Sequence, residues 1–415
     1  MAVSTFEKNR QYVQFCLYGF LKNLRFFDAF LLLFFLENGL SYAQIGLLYA
    51  GRELATNILE VPSGFMADLY GRKQALLASF VLYIISFLVF YWSTRFGLLM
   101  LAMILFGLAE AFRSGTHKGM IMDYLQWQGW KADKIAYYGL TRSWSQRGSA
   151  LSALLAGILV FFTENYRLIY LISVIPYVLN MLNVFLYPTE IDRAQKKKKT
   201  KQSWGTSLWH FGQVLRKPSV LAIVNSAALH GAFLKSIKDY IQPLMVQLAI
   251  LLPILSEVEE ESKNGLVIGG LYFGIYLLTA AASRRAGYVS QLGWSNLAPK
   301  TLWIGLISGL LSGIFVYLGW WVLAIVVFVL VYLVENLRKP ILTGFLVDEV
   351  PADLLTSVLS AQSFYKTIMT ALLAIGLGFL SDHWGIGPAL GFLSSLLLLF
   401  SWVLEVYRKE NLLRS

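Results

Sequence analysis

The sequence predicts an all-α integral membrane protein with twelve transmembrane helices in two six-helix bundles. Of its 415 residues, 57% are hydrophobic and 14% are charged, whereas soluble domains have about 45–50% apolar and about 25% charged residues. Apolar runs such as 76–92 and 389–407 are about the length needed to cross a bilayer core. A strongly basic segment near the middle divides these runs into six and six.

The apolar segments give the predicted spans in chain order. We expect them near 13–36, 42–67, 74–93, 97–124, 135–162, 166–187, 219–250, 265–283, 299–317, 320–345, 356–380 and 386–407. The first span of each half is interrupted by polar residues, so their ends are the least well defined.

The basic segment, residues 188–218, carries eight basic and two acidic residues. Cytoplasmic loops are enriched in Lys and Arg, so we expect a solvated cytoplasmic linker here. The predicted organisation is therefore an N-terminal bundle over 1–187, the linker over 188–218 and a C-terminal bundle over 219–415.

The remaining loop charges set the predicted orientation. The acidic loop 256–265 is expected outside the cell. Basic residues of the other loops fall inside: 71–73, 131–134, Arg284, Arg285, Arg338, Lys339 and the C-terminal tail. The N-terminal stretch carries Glu7, Lys8 and Arg10 and does not resemble a signal peptide. We therefore expect both termini in the cytoplasm and the protein in a bacterial inner membrane.

Composition also argues against several other classes of function. The single cysteine, Cys16, allows no intrachain disulfide, and the four histidines show no metal-ligand spacing. No GxxxxGK[ST] segment for binding ATP is present. The net charge of +11 is attributed to basic loops at a membrane rather than to nucleic-acid binding. We expect no metal, no cofactor and a monomer.

The segment "GFMADLYGRKQAL", residues 64–76, lies between the second and third spans. Gly64 allows close helix approach and Gly71 a tight turn, whereas Asp68 can accept hydrogen bonds from a neighbouring helix N-terminus. Arg72 and Lys73 can pair with acids on adjacent helices. The segment resembles motif A of the major facilitator superfamily, with Leu69 where that family usually has a basic residue.

The resemblance implies the fold and mechanism of a secondary transporter. In that family motif A forms a latch between two bundles, made in one state and broken in another. It also implies Asp123, near the end of the fourth span, as the partner of Arg72. The first, fourth, seventh and tenth helices of the family line a central cavity.

The fourth span holds five ionisable groups within residues 110–125. On a continuous α-helix Glu110, Arg113 and His117 share one face, with Lys118 on its flank and Asp123 on another side. Charges inside a membrane helix are costly and normally functional. The stripe is therefore expected to face a water-filled cavity, although an internal Glu110–Arg113 salt bridge that only ties the bundle together is the alternative.

Similar groups recur in the first and seventh spans. Lys22, Arg25 and Asp28 lie in the first, with Arg25 and Asp28 three residues apart, the spacing of a helical ion pair. Lys235, Lys238, Asp239 and Gln242 lie within one arc of the seventh. Because intramembrane bases outnumber acids, we expect an anionic substrate. The expected binding residues are Arg25, Arg113, His117, Lys118, Lys235, Lys238 and Gln242.

Proton coupling requires an acid or histidine that can change its protonation between two exposures. Glu110 and His117 are the leading candidates, followed by Asp28 and Asp239. Structural roles are expected for Glu53, Glu60 and His230.

The sequence therefore predicts a secondary active transporter, a symporter or antiporter that works by alternating access and is coupled to protons or another ion. Its expected cargo is a small organic solute, and an anionic one such as a carboxylate- or phosphate-bearing metabolite, siderophore or drug. Two alternatives stay open: a transport-inactive relative acting as a sensor or assembly partner, and a membrane enzyme acting on lipid.

Overall fold

A computed structural model describes residues 6–130, 133–188, 218–252, 259–291, 297–349 and 355–414, and within these ranges it contains helices and no strand. The predicted linker, apart from its two end residues, and the start of the acidic loop lie outside the described residues. The same holds for the side chains of Asp68, Arg284, Arg285 and Lys339.

The first half contains eight α-helices and one short 3-10 turn in its described part. Their bounds are α1 Arg10–Lys22, the 3-10 turn Phe26–Ala29, α2 Leu31–Glu37, α3 Tyr42–Tyr70, α4 Arg72–Trp92, α5 Phe96–Arg113, α6 Thr116–Trp127, α7 Lys134–Thr163 and α8 Tyr166–Phe185.

The second half repeats this pattern of long helices after one interrupted segment. The bounds are α9 Pro218–Ile237, the 3-10 turn Lys238–Tyr240, α10 Ile241–Leu251, α11 Glu260–Gln291, α12 Leu297–Tyr317, α13 Trp321–Glu349, α14 Leu355–Trp384 and α15 Ile386–Arg414.

The helices match the predicted spans. In the described ranges nine helical segments are long and apolar enough to cross a bilayer, with α5 and α6 counted together. The three other predicted spans are α1–α2 and α9–α10, which 3-10 turns divide into short pieces, and α3, which carries Arg52, Glu53 and Glu60. Large apolar side chains such as Phe162 and Phe185 are exposed, as expected for surfaces that face lipid. The all-α membrane architecture with twelve spans is confirmed.

Interruptions divide three of the described spans. The first changes to a 3-10 turn after Lys22, and the seventh does so at Lys238. The fourth breaks at Ser114–Gly115, where Gly115 has φ +72°. A side chain strains this left-handed backbone, so glycine suits the position. The expectation of one continuous fourth helix was therefore wrong.

The chain folds as two compact units. The first comprises 1–34, 51–201 and 257–276. In it α7 and the start of α11 pack backbone against backbone: a Cβ on Gly157 would lie 2.6 Å from the carbonyl oxygen of Gly265 and 2.9 Å from the Cα of Gly269. Ser262 lies beside them, with its hydroxyl oxygen 2.8 Å from Glu164 Oε1. Glycine is what allows this close approach.

The second unit comprises 35–50, 202–256 and 277–415. Here the start of α3 packs on the end of α14. The Asp382 carboxylate accepts hydrogen bonds from the backbone N–H groups of Tyr42 (2.8 Å) and Ala43 (2.9 Å). Close backbone contacts at Gly46 and Gly378 accompany this cap. Asp382 thus satisfies two orphan donors at the positive end of a helix.

Candidate functional site

The first unit contains a carboxylate held between two guanidinium groups. Glu110, in the last turn of α5, accepts from Arg25 Nη2 through one oxygen and from Arg113 Nη2 through the other. Arg113 Nε also lies 3.1 Å from Glu110 Oε2. The three side chains stay 16–25% exposed. The i,i+3 pair Glu110–Arg113 is confirmed, and Arg25 joins it from the interrupted part of the first span.

Two buried tyrosines fix these arginines. Arg113 Nε donates to Tyr83 Oη at 3.3 Å, and Arg25 Nε donates to Tyr177 Oη at 3.2 Å. Tyr177 in turn donates to the carbonyl oxygen of Lys22 at 3.1 Å. That carbonyl lies at the end of α1, where helical partners are missing. The break in the first span is thus supported by the residues that position the charges.

The position of Arg25 differs from the one that its spacing to Asp28 predicts. The chain leaves the α-helix at Asn23, so the i,i+3 geometry of an α-helix does not apply between these two residues. Arg25 reaches Glu110, 85 residues away in sequence. Asp28 lies in the 3-10 turn, is partly exposed, and acts on Arg25 through its charge.

The break at Gly115 separates His117 from the helix of Glu110 and Arg113. The His117 ring stacks on Tyr18 with 3.5 Å between ring centroids and 8° between planes, and its Nε2 lies 3.4 Å from Tyr187 Oη. Lys118 is exposed, with its Nζ 5.6 Å from the Tyr138 ring centroid. A single polar stripe through Glu110, Arg113 and His117 is therefore not what forms, since His117 is packed among aromatic rings.

Glu60 also meets the broken helix. Its Oε1 accepts from the Ser114 hydroxyl at 2.6 Å. This agrees with the structural role expected for Glu60, because the bond holds the residue directly before the left-handed Gly115.

The motif A segment forms the predicted contact with the fourth span. Arg72 Nη1 lies 2.8 Å from Asp123 Oδ2, and both side chains are about a quarter exposed. Gly119 packs against the Arg72 guanidinium group so closely that a Cβ at this position would displace the guanidinium group. Lys73 donates to the carbonyl oxygen of Tyr187 at 2.8 Å. The expected pairing of Arg72 with Asp123 is confirmed.

Two glycines of motif A behave differently. Gly71 has φ +103° and is the single residue between the end of α3 and the start of α4, as expected for a tight turn. Gly64 was expected to allow close helix approach, but among the described residues no atom lies within 4 Å of a Cβ built there. The described part of the chain therefore forms no close approach at Gly64, because this face of α3 is exposed.

In the second unit, the candidate residues of the seventh span lie at and around the 3-10 turn that interrupts this span. Lys238 Nζ lies 2.9 Å from Asp239 Oδ1, and Tyr332 donates to the Lys238 carbonyl oxygen at 2.7 Å. Gln242 is fully buried in the following helix, whereas Lys235 is exposed. A tyrosine hydroxyl thus supports the freed carbonyl at this break, as Tyr177 does in the first unit.

A second polar cluster in this unit is more extensive than the sequence predicts. His230 Nδ1 lies 2.8 Å from Glu335 Oε2. Arg338, which was expected in a cytoplasmic loop, lies within α13 and is fully buried, and it donates to Thr301 Oγ1 (2.5 Å) and to the Ser226 carbonyl oxygen. The sequence signal for this cluster is that each of its ionisable residues stands within a largely apolar helix.

The described residues contain no group of three or more His, Cys, Asp or Glu side chains able to hold a metal ion. What they offer is paired charge inside helices that are long and apolar enough to span a membrane. Fold and site together are those of a multi-pass membrane protein.

Sequence similarity identifies the family. The family model of the Major Facilitator Superfamily matches residues 15–374, so the chain belongs to that superfamily. It is 34% identical over 90 residues to the uncharacterized MFS-type transporter YxaM of Bacillus subtilis (strain 168). That match covers 22% of this chain and 23% of YxaM.

Solved transporters share the fold across almost the whole chain. A single-residue variant of the nucleoside transporter NupG aligns with a TM-score of 0.73 at 16% identity, over 95% of this chain and 97% of NupG. A POT family transporter in complex with 5-aminolevulinic acid aligns with a TM-score of 0.72 at 13% identity, over 97% and 96%. At these identities the likeness concerns the fold alone. By family the chain is a secondary transporter, and it shares the fold of these solved transporters.

Proposed function

We propose that the protein carries a small organic anion across the bacterial inner membrane together with protons. The observation that supports this most is the Glu110 carboxylate held between Arg25 and Arg113. Lys22 lies within electrostatic range of the same carboxylate. Three basic groups thus surround one acid, and guanidinium groups bind carboxylates and phosphates strongly.

The coupling follows from competition for the two guanidinium groups. With Glu110 ionised, both arginines are engaged by its two oxygens. A proton on Glu110 removes that charge and frees both arginines for the substrate. The anion and the proton therefore favour each other's binding, which is the thermodynamic requirement for moving both in one direction.

The seventh span provides further candidates for the substrate site. Discontinuous helices commonly form substrate sites in transporters, because their ends present unpaired backbone groups. Lys238 and Asp239 lie at such an interruption, with Gln242 buried one turn later. We propose Lys235, Lys238 and Gln242 as binding residues, and Asp239 as a secondary proton carrier with Asp28 in the first unit.

The interrupted fourth span assigns different roles to two of its basic residues. Lys118 is exposed beyond the break and serves, in this proposal, to attract the anion toward Arg113. His117 is enclosed by Tyr18 and Tyr187. It serves in proton coupling and substrate binding only if the aromatic packing opens during the cycle.

The Arg72–Asp123 contact is proposed as the motif A latch, with Gly71 and Lys73 holding the turn in place. Gly64 and Asp68 belong to the same motif by resemblance. A latch must form and break repeatedly, and a partly exposed ion pair is weak enough to do so.

The ligands named for the structural neighbours are compatible with an anionic substrate but do not favour one. The POT family structure holds 5-aminolevulinic acid, which contains a carboxyl group, whereas NupG is a nucleoside transporter. The preference for an anion therefore rests on the charges of this chain.

Liposomes that contain the purified protein test the proposal. An imposed pH gradient should drive uptake of at least one labelled compound from a set of organic anions, cations and neutral solutes. In Glu110→Gln, binding and downhill exchange should persist while proton-driven accumulation is lost. Glu164→Gln, an acid at the far end of α7, is the matched control and should accumulate normally. Uptake of cations only, or normal accumulation in Glu110→Gln, would contradict the proposal.

A further inference from the structure

We propose that His230 and Glu335 form a second proton-binding site, separate from Glu110, and that Lys366 controls its occupancy. This inference rests on the proposed coupling of protons to an anion, and it adds a second group that carries a proton. Its basis is a cluster of charges enclosed by five helices of the second unit.

The pair itself is deeply buried. The His230 side chain is fully buried, that of Glu335 is 10% exposed, and Nδ1 of the ring lies 2.8 Å from Glu335 Oε2. On the other side of the ring, Nε2 has no hydrogen-bond partner among the described residues and packs on Gly305 of α12. An additional proton on Nε2 would have no acceptor there. His230 is therefore neutral in this conformation and donates its Nδ1–H to an ionised Glu335.

Besides His230, two cations lie near the Glu335 carboxylate and favour its ionised form. Glu335 Oε1 and Lys366 Nζ both lie beside Gly231, each 2.8 Å from the position of a Cβ on that glycine. Arg338 lies one turn after Glu335 on α13, and its charge also acts on this carboxylate. With His230 neutral, the cluster has two positive charges and one negative charge.

Polar groups on the surrounding helices are bonded to other partners. On α12, Thr301 accepts from Arg338. On α14, Tyr365 donates to Asn225 at 2.5 Å. On α15, Glu405 accepts from Ser226 at 3.2 Å.

The two cations of the cluster differ in their access to solutes. Arg338 is fully buried, whereas Lys366 is partly exposed. Lys366 is therefore the one of the two that an anion can reach.

The chemistry follows from the charge balance. An anion that pairs with Lys366 removes one of the two positive charges that favour the ionised form of Glu335. A proton then binds to the pair at the Glu335 carboxylate, which becomes a neutral carboxylic acid beside the His230 ring. No other reactant is needed, because the proton comes from water and returns to it. The second unit thus binds the substrate anion and the proton together.

Infrared spectroscopy of the reconstituted protein tests this without any substrate. The carboxylic-acid carbonyl band reports protonated Asp and Glu side chains. Lys366→Met imitates neutralisation of Lys366, so a new band should appear at neutral pH and should be absent from Lys366→Met with Glu335→Gln. Lys366→Gln should give the same band, which guards against a packing defect in one variant. Lys134→Met removes an exposed basic residue at the start of α7, outside this cluster, and should give no new band.

Several results would overturn the inference. These are an unchanged spectrum in both Lys366 variants, a band that persists in the double variant, and a wild-type band at neutral pH that Glu335→Gln removes. Since none of these measurements uses transport, they are independent of the anion uptake assay. If the uptake assay contradicts the Glu110 proposal, the infrared result can still be interpreted.

Discussion

The two polar clusters use the same kinds of side chain at different depths. Arg25, Glu110 and Arg113 are 16–25% exposed and bind one another through one shared carboxylate. Arg338 and His230 are fully buried and bonded to backbone and side-chain oxygens. A partly exposed charge can exchange a protein partner for a solute, whereas a buried one is held because its release is costly. Substitutions in the partly exposed cluster should therefore affect binding, and substitutions of the fully buried groups should affect stability.

The largest effect is expected for Arg338→Ala. It removes the buried donor to the Thr301 hydroxyl and to the Ser226 carbonyl. A hydrogen bond from a charged group contributes about 1.5–3 kcal/mol, so the two bonds together should cost about 3–6 kcal/mol in free energy of unfolding. Thermal unfolding of the purified protein should show this as a large loss of stability. Arg147→Ala is the matched control, because this exposed arginine lies over the Trp144 ring, a contact worth about 0.5–1 kcal/mol. Equal stability of both variants would contradict a stabilising role of the buried arginine.

Arg113→Ala should weaken anion binding more than tenfold while the protein stays folded, since losing one charge-assisted pair in a desolvated site costs about 2–5 kcal/mol. Arg113→Lys should restore little, because an ammonium group does not reproduce two parallel bonds. Binding to an anion identified in the uptake assay provides the measurement.

The alternative of a purely structural Glu110–Arg113 bridge predicts the opposite. Arg113→Ala would then lower thermal stability, and Arg113→Ala with Glu110→Ala would recover much of it. Normal transport by that double variant would show that the pair has no role in substrate binding.

A smaller effect is expected for Asp382→Ala, which removes the cap of α3. Loss of a capping side chain costs about 0.5–2 kcal/mol. Asp382→Asn keeps an oxygen that can accept from Tyr42 or Ala43 and should retain most of the stability. Thermal unfolding of the two variants distinguishes the cap from the charge: equal losses would mean that the negative charge, rather than the hydrogen bonds, stabilises this end of α3.

The smallest change in stability is expected for Arg72→Ala. A partly exposed ion pair contributes about 0–1 kcal/mol, so the melting curve should barely shift. If the contact is a latch, the transport rate should nevertheless change, and the exchanged pair Arg72→Asp with Asp123→Arg should restore part of it. A large loss of stability without a change in rate would indicate a static bridge.

The sequence allowed prediction of the spans better than of their interruptions. An apolar run is a local property, so its length alone located the twelve segments. The position of a break in a helix is not a local property. Gly107 lies within the continuous helix α5, whereas Gly115 lies beyond its end. Both glycines permit a break, and tertiary packing decides which one is used. The grouping of His117 with Glu110 on one helix face was wrong for this reason.

The contacts within the candidate sites likewise include some that the local sequence predicts and some that it does not. Glu110–Arg113 follows from i,i+3 spacing, and Arg72–Asp123 follows from a known motif. The bond from Arg25 to Glu110 crosses 85 positions, and no spacing rule reaches that far. The burial of Arg338 was missed because a basic residue near the end of a span is usually at the membrane surface.

The glycine contacts of α7 with α11, and of α3 with α14, have a consequence for how readily such surfaces separate. At Gly157 and Gly265, as at Gly46 and Gly378, backbone meets its neighbour without an intervening side chain. Ordering a long side chain costs up to about 2 kcal/mol of rotamer entropy, whereas glycine has no rotamers to lose. Forming or breaking such a contact therefore changes the side-chain entropy little, so entropy of this kind neither holds these surfaces together nor drives them apart.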